Sequence, residues 1–393
     1  EQRILDLRLA THLMVNTYHF LTIPYIFVLD PEIIKSVLIR DFSHFMDRPT
    51  LQLRYPLIQR QLLNLKGQEW KKVRSMLTPA FTSGNSKQWK RYFSSVANRL
   101  SSISTKSQVS TLEMKEFYGH FTMDVIATAA FGVQTDSLQN PDSEFVKFAS
   151  RFNDFSRFER FMIFFVLIFI PQFAKYLPIT FFNMEVMNFL ASVVRDTIQH
   201  REIRNEKRND FLQLMLDVNE ESKAKEKIGE GDSNSHSIMD ETTIIAQSVL
   251  FLVAGFETSS TLLTFASYEL ALNKEIQERL REEIKLTLEK TRRNQYHPPL
   301  ARIDRSCTDD YTIPGTSITI EKGINVTIPV FSPDEKSKRS PYLFLPFGAG
   351  PRNCIGKLPF THKDSIIYLL KDFEINTCEK TQFLTIIVNF PCS

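Results

Sequence analysis

The sequence predicts a mainly α-helical fold with a minor antiparallel β part. Apolar residues recur at helical spacing over residues 69–214 and again over residues 240–273, which predicts a helical array and one long helix. Between residues 310 and 328, three short stretches alternate between apolar and polar residues around Pro-Gly and Lys-Gly turns, as in short antiparallel strands. No internal repeat or long low-complexity tract divides the chain, so we expect residues 1–393 to form a single domain.

The N-terminal region predicts a small mixed unit of one strand and one helix. Residues 24–29 alternate weakly, which is typical of a short strand. Residues 31–39 predict a helix, because Asp30 can accept hydrogen bonds from the first backbone N–H groups and Pro31 suits the first helical position.

The middle of the chain predicts helices separated by turn residues. Breaks fall at residues 82–84, 140–141 and 177–178. Residues 219–239 are polar and charged and contain two glycines, so we expect an exposed connection between helices there. Asp240 can cap the long helix that follows, which contains no proline and a single glycine and is far longer than an average helix.

The composition indicates a globular protein and excludes nucleic acid as a partner. A hydrophobic content of 42% with 33 phenylalanines is enough for a core and an aromatic pocket, and 24% charged residues suit a soluble surface. The net charge of +3 is too mild for nucleic-acid binding, and no basic stripe with interleaved aromatic residues is present.

The cysteines do not form a disulfide or zinc pattern. They show no Cys-x-x-Cys pair and no histidine at zinc-ligand spacing, so reduced thiols in a cytosol-facing protein are the best interpretation. The four are Cys307, Cys354, Cys378 and Cys392.

The start of the sequence predicts no signal peptide and no membrane anchor, because it opens on charged, helix-like residues. The longest apolar run covers residues 161–170 and is too short to cross a bilayer. It fits a core helix or an interfacial segment that lies among lipid headgroups.

One cysteine, Cys354, stands apart because it lies in a glycine-rich loop beside Arg352. An arbitrary cysteine is usually a buried and inert small hydrophobe. Here Gly348, Gly350 and Gly356 allow close approach of the backbone, and the guanidinium of Arg352 offers a fixed fork for a carboxylate. These surroundings favour a metal ligand over a packing residue.

The spacing Phe-x-x-Gly-x-Arg-x-Cys-x-Gly, from Phe347 to Gly356, resembles the cysteine-ligand loop of the cytochrome P-450 family, the haem-thiolate monooxygenases. The resemblance implies haem b as cofactor with the Cys354 thiolate as its axial metal ligand. It also implies cofactor-binding roles for Phe347, Gly350 and Arg352. The implied fold has a long central helix over the haem, with this loop near the C-terminus.

The long helix carries a second resemblance in Ala254-Gly255-Phe256-Glu257-Thr258. Gly255 lowers the stability of a helix, and the Thr258 side chain competes for backbone hydrogen bonds. This segment is therefore less stable as a helix than its neighbours, which calls for an explanation. A close helix crossing, with Thr258 bonded to its own backbone, is one explanation. The family's Ala-Gly-x-Glu-Thr signature implies the other, in which Ala254 and Gly255 leave room for dioxygen while Glu257 and Thr258 pass protons to it.

Two further sites resemble the family's ligands for the haem propionates. Trp70 and Arg74 lie four residues apart on one helix face, where an indole N–H and a guanidinium can reach one anion. The alternative is an amphipathic surface helix with a buried tryptophan. Arg305 lies where the family has another propionate arginine, with residues 300–303 expected to line the substrate pocket. A charged strand edge is its alternative.

The chain also departs from the family pattern. The family's Glu-x-x-Arg pair is matched in letters by Glu289 and Arg292, but these lie at the end of an ordinary charged helix, and we interpret the match as accidental. A longer meander with an aromatic-bearing Pro-x-Arg motif is expected after Ser332 and is missing. We therefore expect internal segments to be missing around residues 293–297 and 332–333.

The resemblance implies a microsomal monooxygenase, closest to insect xenobiotic-oxidising and vertebrate drug- and steroid-oxidising members. It implies a lipophilic small-molecule substrate, electrons from an NADPH-dependent flavoprotein reductase, and a location at the membrane surface on the cytosolic face of the endoplasmic reticulum. One alternative is an abbreviated, non-catalytic remnant with impaired haem binding, and another is a haem-thiolate sensor or carrier.

Basic residues form two clusters that could dock an acidic electron donor or could be solvated faces. They are Lys71, Lys72, Lys87, Lys90 and Arg91 in one, and Lys336, Lys338 and Arg339 in the other.

Overall fold

The computed structural model of the chain describes most of the predicted elements. Its continuous parts are residues 15–20, 23–50, 54–81, 113–133, 183–208, 210–227, 239–286, 301–316, 318–330 and 344–356. Short stretches and single residues between 135 and 180 and between 342 and 381 are also described. The statements below concern these residues.

The N-terminal unit contains two strands where one was predicted. Strand β1 (Val15–Phe20) pairs antiparallel with β2 (Ile23–Val28). Helix α1 (Pro31–Lys35) follows and continues as a π-helical turn over Ser36–Arg40. The Asp30 carboxylate accepts hydrogen bonds from the first turn at 2.8 and 3.0 Å, which confirms the predicted cap.

The main sheet contains antiparallel pairings, as predicted, together with one parallel pairing that was not predicted. Its order is β1, β2, β6 (Asn325–Pro329) and β3 (Arg302–Ser306). Strand β6 is antiparallel to β3 but parallel to β2, because the chain returns to the sheet from the far end of the sequence. A separate antiparallel pair is formed by β4 (Tyr311–Thr312) and β5 (Thr319–Ile320), as expected.

Helices make up most of the described chain, which confirms the predicted fold class. Their bounds are α2 Pro56–Gln59, α3 Gly67–Leu77, α4 Met114–Phe131, α5 Met184–Arg204, α6 Phe211–Lys227, α7 Glu241–Leu272 and α8 Lys274–Leu286. Short 3-10 turns cover Phe42–Phe45 and Thr78–Phe81.

The predicted connection over residues 219–239 begins later than expected, since α6 extends to Lys227. Its last residues are rich in glutamate, lysine and alanine, which are good helix formers, and high polarity alone did not prevent a helix. Residues 228–238, like the predicted breaks at 82–84 and 177–178, lie outside the described residues.

Helix α7 is the centre of the helical part. The Asp240 side chain accepts from the Thr243 N–H at 2.8 Å, so the predicted cap is confirmed, and the helix runs for 32 residues. Its N-terminal half is almost entirely buried against α4, α5 and α6. By length and composition, α7 is the one helix among the described residues that could cross a membrane. This is weak evidence for a membrane span, because core helices of soluble proteins satisfy the same criterion.

Two large apolar clusters make up most of the buried core of the described residues. The larger joins α3, α4, α5, α6 and α7. The smaller lies beneath the main sheet, between α1 and strands β2 and β6. Two residues of the apolar run 161–170 are described: Val166 is buried and Ile163 is half-buried. The other residues of the run lie outside the described part of the chain.

Candidate active site

The cysteine loop is a tight turn that presents Cys354 outward and Arg352 inward. The Cys354 N–H donates to the Phe347 carbonyl at 2.8 Å, and the Asn353 N–H donates to the Gly350 carbonyl at 3.1 Å. Cys354 is exposed, whereas Arg352 keeps only 4% of its surface. The alternative of a buried, inert thiol therefore fits Cys307 and not Cys354.

Gly350 has a structural reason to be glycine that the sequence did not reveal. Its φ of +72° is in the left-handed region, and a Cβ there would lie 1.8 Å from the carbonyl oxygen of Leu38. The glycine thus permits contact with the π-helical turn after α1, in addition to any approach to a flat cofactor. Gly348 also has a positive φ, of +69°.

Replacing Gly350 with alanine is expected to lower the free energy of unfolding by more than about 1–2 kcal/mol. The left-handed conformation alone accounts for that amount, and the collision with a backbone oxygen adds to it. Gly356→Ala is the matched control in the same loop, because a Cβ added there would have no neighbouring atom within 4 Å. Denaturant unfolding of both variants tests this, and equal stability of the two would contradict it.

Arg352 is held by backbone and aromatic contacts. Its Nη2 donates to the Leu65 carbonyl at 2.7 Å, and its guanidinium lies 4.3 Å from the ring centroid of Trp70. The carboxylate of Asp47 is 3.8 Å away. Trp70 is buried, so the amphipathic-helix alternative is correct about its burial, and the ring also orients an arginine of the cysteine loop.

Three more arginines surround Arg352. Arg305 is 1% exposed on β3, and its Nη1 donates to the Asp304 carbonyl at 2.9 Å. Arg48 reaches the Arg352 carbonyl at 3.5 Å, and Arg74 on α3 donates to the Asn353 side chain at 3.1 Å. We call Arg48, Arg74, Arg305 and Arg352 the arginine cluster.

The charges within the arginine cluster disfavour one another. Burial, followed by the charges of Arg48 and Arg352, lowers the pKa of Arg305 to about 9. Burial, followed by the charge of Arg48, lowers the pKa of Arg352 to about 9, although Asp47 opposes the shift. Both groups still carry their charge at neutral pH.

Burial also lowers the pKa values of Arg48 and Arg74, while the charge of Cys354 opposes both shifts. Cys354 therefore lies within electrostatic reach of the arginine cluster.

The arginine cluster lacks enough negative charge. Among the described residues, the charges that oppose these four guanidinium groups are Cys354, for Arg48 and Arg74, and the carboxylates of Asp47 and Asp304. The Nε atoms of Arg48, Arg305 and Arg352 are buried and have no hydrogen-bond partner in the described part of the chain. Buried polar groups are normally bonded, so these donors and the excess charge indicate a site for an anion with carboxylate-like oxygens.

Sequence reasoning missed Arg48. It lies in a loop after the Phe42–Phe45 turn, and neither periodicity nor spacing distinguishes it from other surface arginines. Its position beside Arg352, more than 300 residues later in the chain, depends on tertiary packing.

The predicted segment of α7 divides between two faces. Ala254 and Thr258 are exposed, and the Thr258 hydroxyl donates to the Ala254 carbonyl at 2.6 Å. Gly255 faces α4 instead, where an added Cβ would lie 2.7 Å from the Ile126 side chain. For Gly255 the structure thus favours the close helix crossing, whereas Ala254 and Thr258 line an open face.

Glu257 pairs with α4. Its Oε1 lies 2.9 Å from the Nζ of Lys115, and both side chains are about two-fifths exposed. The same helix segment borders the larger core, where Phe251 on α7 and Ile355 from the cysteine loop pack against one cluster. The cysteine loop and α7 therefore both contribute side chains to the edge of the larger core.

Other predicted residues are placed less fully. Lys71 and Lys72 are exposed on α3, and the remaining basic residues of both clusters lie outside the described residues. Leu300, Glu289 and Arg292 also lie outside them. Ile303 packs toward the sheet core, 3.6 Å from where a Cβ of Gly348 would be.

A cavity of about 500 Å³ lies elsewhere, between α5 and the end of α4, and is lined by His200, Arg201 and Arg208 among others. It is separate from the cysteine loop.

Comparison with known proteins decides the family. The family model described as Cytochrome P450 matches residues 11–297 and 330–389. The chain belongs to the cytochrome P450 family. The match does not include residues 298–329, so it gives no support for the predicted role of Arg305, which lies near Arg48 and Arg352 in the arginine cluster.

Similar curated proteins come from insects and mammals. Cytochrome P450 6k1 of Blattella germanica is 34% identical over 411 positions, which cover 91% of this chain and 78% of the relative. Probable cytochrome P450 6a13 of Drosophila melanogaster is 34% identical over 400 positions, with the same coverage of 91% and 78%. Cytochrome P450 3A17 of Cavia porcellus is 32% identical over 409 positions, again with 91% and 78% coverage.

Family membership makes the chain a P450 monooxygenase, whose cofactor is haem bound through a cysteine thiolate. Members act on lipophilic substrates and use reductases as redox partners. The residues present fit this cofactor, because haem carries two propionate carboxylates and the arginine cluster offers excess positive charge with three unbonded Nε donors.

Proposed function

We propose that this P450 inserts one atom of dioxygen into a lipophilic xenobiotic, steroid or similar small molecule, with electrons from an NADPH-dependent flavoprotein reductase. The observation that carries the proposal is the exposed Cys354 beside an arginine cluster with too little negative charge. A structural arginine cluster would be expected to have its carboxylate partners within the chain.

In this proposal Cys354 is the metal ligand, and the arginine cluster holds the two propionates. Haem bound by a thiolate supplies dioxygen activation, since the thiolate favours cleavage of the O–O bond. Trp70 orients Arg352 by stacking, and the Phe347 carbonyl fixes the backbone of Cys354. Gly350 keeps the loop close to the turn after α1.

The open face of α7 provides the proton path. Water first protonates the Glu257 carboxylate on its exposed side. The Thr258 hydroxyl donates to the Ala254 carbonyl, so its lone pairs are available to accept that proton from Glu257. Rotation of the hydroxyl then passes a proton on to dioxygen, and water reprotonates the exposed side of Glu257. Each turnover takes two electrons and two protons, and the second oxygen atom leaves as water.

We place the protein on the cytosolic face of the endoplasmic reticulum membrane, as its microsomal relatives suggest. Exposed Lys71 and Lys72 on α3 offer positive charge for docking a negatively charged reductase surface.

The residue range 1–393 is proposed as one catalytic domain that lacks segments present in relatives. In support, the alignment with cytochrome P450 6k1 spans 411 positions, more than the 393 residues of this chain, and therefore contains gaps opposite residues of the relative. If the expected missing segments around residues 293–297 and 332–333 are absent from the folded protein, the alternative is a remnant with impaired haem binding, which the experiment below distinguishes.

The test is the carbon monoxide difference spectrum of the reduced, purified protein, followed by turnover with a P450 reductase and NADPH on a lipophilic probe. A thiolate-type Soret band and NADPH-dependent product support the proposal. A band without turnover would indicate a sensor or carrier. No band, or one typical of a neutral thiol, would indicate a non-catalytic remnant.

A further inference from the structure

Lys115 makes three contacts with α7 at the proton path. Its Nζ lies 2.9 Å from Glu257 Oε1, 3.0 Å from Ser260 Oγ and 2.6 Å from Thr261 Oγ1. An ammonium group has three N–H donors, and here all three have an acceptor on one helix. The position of the ammonium group is therefore fixed relative to α7.

Helix geometry explains why this contact matters for Glu257. Successive residues point about 100° apart around a helix, so Glu257 lies between the open face of Thr258 and the side that packs on α4. That packed side is marked by Thr122 of α4, whose hydroxyl donates to the Phe256 carbonyl at 3.0 Å. The contact with Lys115 places the Glu257 carboxylate at the boundary between these two sides.

Lys115 is not favoured by its own helix. It lies in the first turn of α4, where the helix dipole is positive and a cation is disfavoured. The cap is made by Glu113, which accepts from the Lys115 and Glu116 N–H groups. Any stabilisation of the fold by the Lys115 side chain therefore comes from its contacts with α7.

We infer that Lys115 is a positioning residue that holds the Glu257 carboxyl group where it can pass protons to Thr258. The inference rests on the proposed function, in which Glu257 and Thr258 form the proton path. Without Lys115 the carboxyl group turns into solvent. Dioxygen then takes up two electrons and two protons and leaves as hydrogen peroxide, instead of being divided between product and water.

The test compares Lys115→Met and Lys115→Arg with Lys322→Met, which removes an exposed lysine 3.6 Å from Asp309, on the β5–β6 turn. Each variant is assayed for its carbon monoxide difference spectrum, for product and peroxide per NADPH, and for the infrared C–O stretch of the carbon monoxide complex. The last measurement requires no turnover and responds to charge near the open face of α7.

Lys115→Met is expected to keep the thiolate-type band, to form product about 10-fold more slowly and to release a larger share of peroxide, since proton transfer contributes about 100-fold or more when fully lost. Its C–O stretch should shift from the wild-type value. Lys115→Arg and Lys322→Met should match the wild-type protein. In a Glu257→Gln background, Lys115→Met should have no further effect on peroxide release.

A normal band with wild-type coupling and an unshifted C–O stretch in Lys115→Met would overturn the role of Lys115 and leave the proposed function intact. An additional loss of coupling in the Glu257→Gln background would also overturn it. If Lys115→Met does not fold, Lys115→Gln carries the same expectation, because an amide can still bond Ser260 and Thr261. Absence of a thiolate-type band in the wild-type protein would overturn both proposals.

Discussion

Replacing Cys354 with alanine is expected to abolish the thiolate-type haem spectrum and to reduce monooxygenase activity by more than about 100-fold. Loss of a residue that only supports a metal ligand costs about 10–100-fold in affinity or activity, and loss of the ligand itself exceeds that. The change should leave the fold intact, because the Cys354 side chain is exposed and its backbone N–H still donates to the Phe347 carbonyl.

Cys378→Ala is the matched control, since Cys378 is also an exposed cysteine near the C-terminus. It should retain the wild-type spectrum. Haem content, the carbon monoxide difference spectrum and far-ultraviolet circular dichroism are measured for both variants. A thiolate-type spectrum that survives in Cys354→Ala would assign the ligand to another cysteine and reject the proposed site.

Replacing Arg305 with methionine is expected to change stability and haem affinity in opposite directions. In the haem-free protein the free energy of unfolding should rise by about 1–3 kcal/mol, because the change removes a buried, unbonded donor and relieves repulsion from Arg48 and Arg352. Haem affinity should fall by about 10–100-fold, since a hydrogen bond to a charged group contributes about 1.5–3 kcal/mol.

The sign of the stability effect follows from the pKa of Arg305. Its folded pKa, about 9, is below the ordinary value of 12.5, so the unfolded chain binds the proton more tightly than the folded chain. This arginine therefore lowers the free energy of unfolding at every pH below about 9. The penalty disappears only as the pH rises from about 9 towards 12.5.

Arg40→Met serves as the control for Arg305→Met. Arg40 is half exposed and pairs with exposed Glu32 at 3.4 Å, so its loss should change stability by less than about 0.5 kcal/mol. Denaturant unfolding of the haem-free proteins and haem titration separate the two effects. If Arg305→Met lowers the free energy of unfolding and leaves haem affinity unchanged, Arg305 does not bind a propionate. It is then a charged residue at a strand edge, which was the alternative interpretation of the sequence.

Elements with local signals were predicted well. The caps at Asp30 and Asp240 depend on hydrogen bonds within three residues, and the α7 pattern spans many turns, so both were visible in the sequence. Strand β3 was missed, because it pairs with β6 about 20 residues later in the chain. Strand β1 was missed although it pairs with the adjacent β2.

The candidate site was predicted unevenly for the same reason. Cys354, Arg352 and Thr258 were found because their motifs are contiguous, and the structure places them in a compact loop and on an open helix face. The need for glycine at Gly350 and Gly255 depends on close contacts with Leu38 and Ile126, which belong to other elements. No local pattern encodes such contacts.

By itself, the sequence determined the helical class, the caps and the family resemblance, because these depend on periodicity and on residues close together in the chain. Tertiary structure alone decided that Arg48 completes the arginine cluster, that β2 and β6 run parallel, and that Lys115 reaches Glu257. These features join residues from about 140 to about 300 positions apart. Their energies come from burial and from charge proximity, which arise only after the chain has folded.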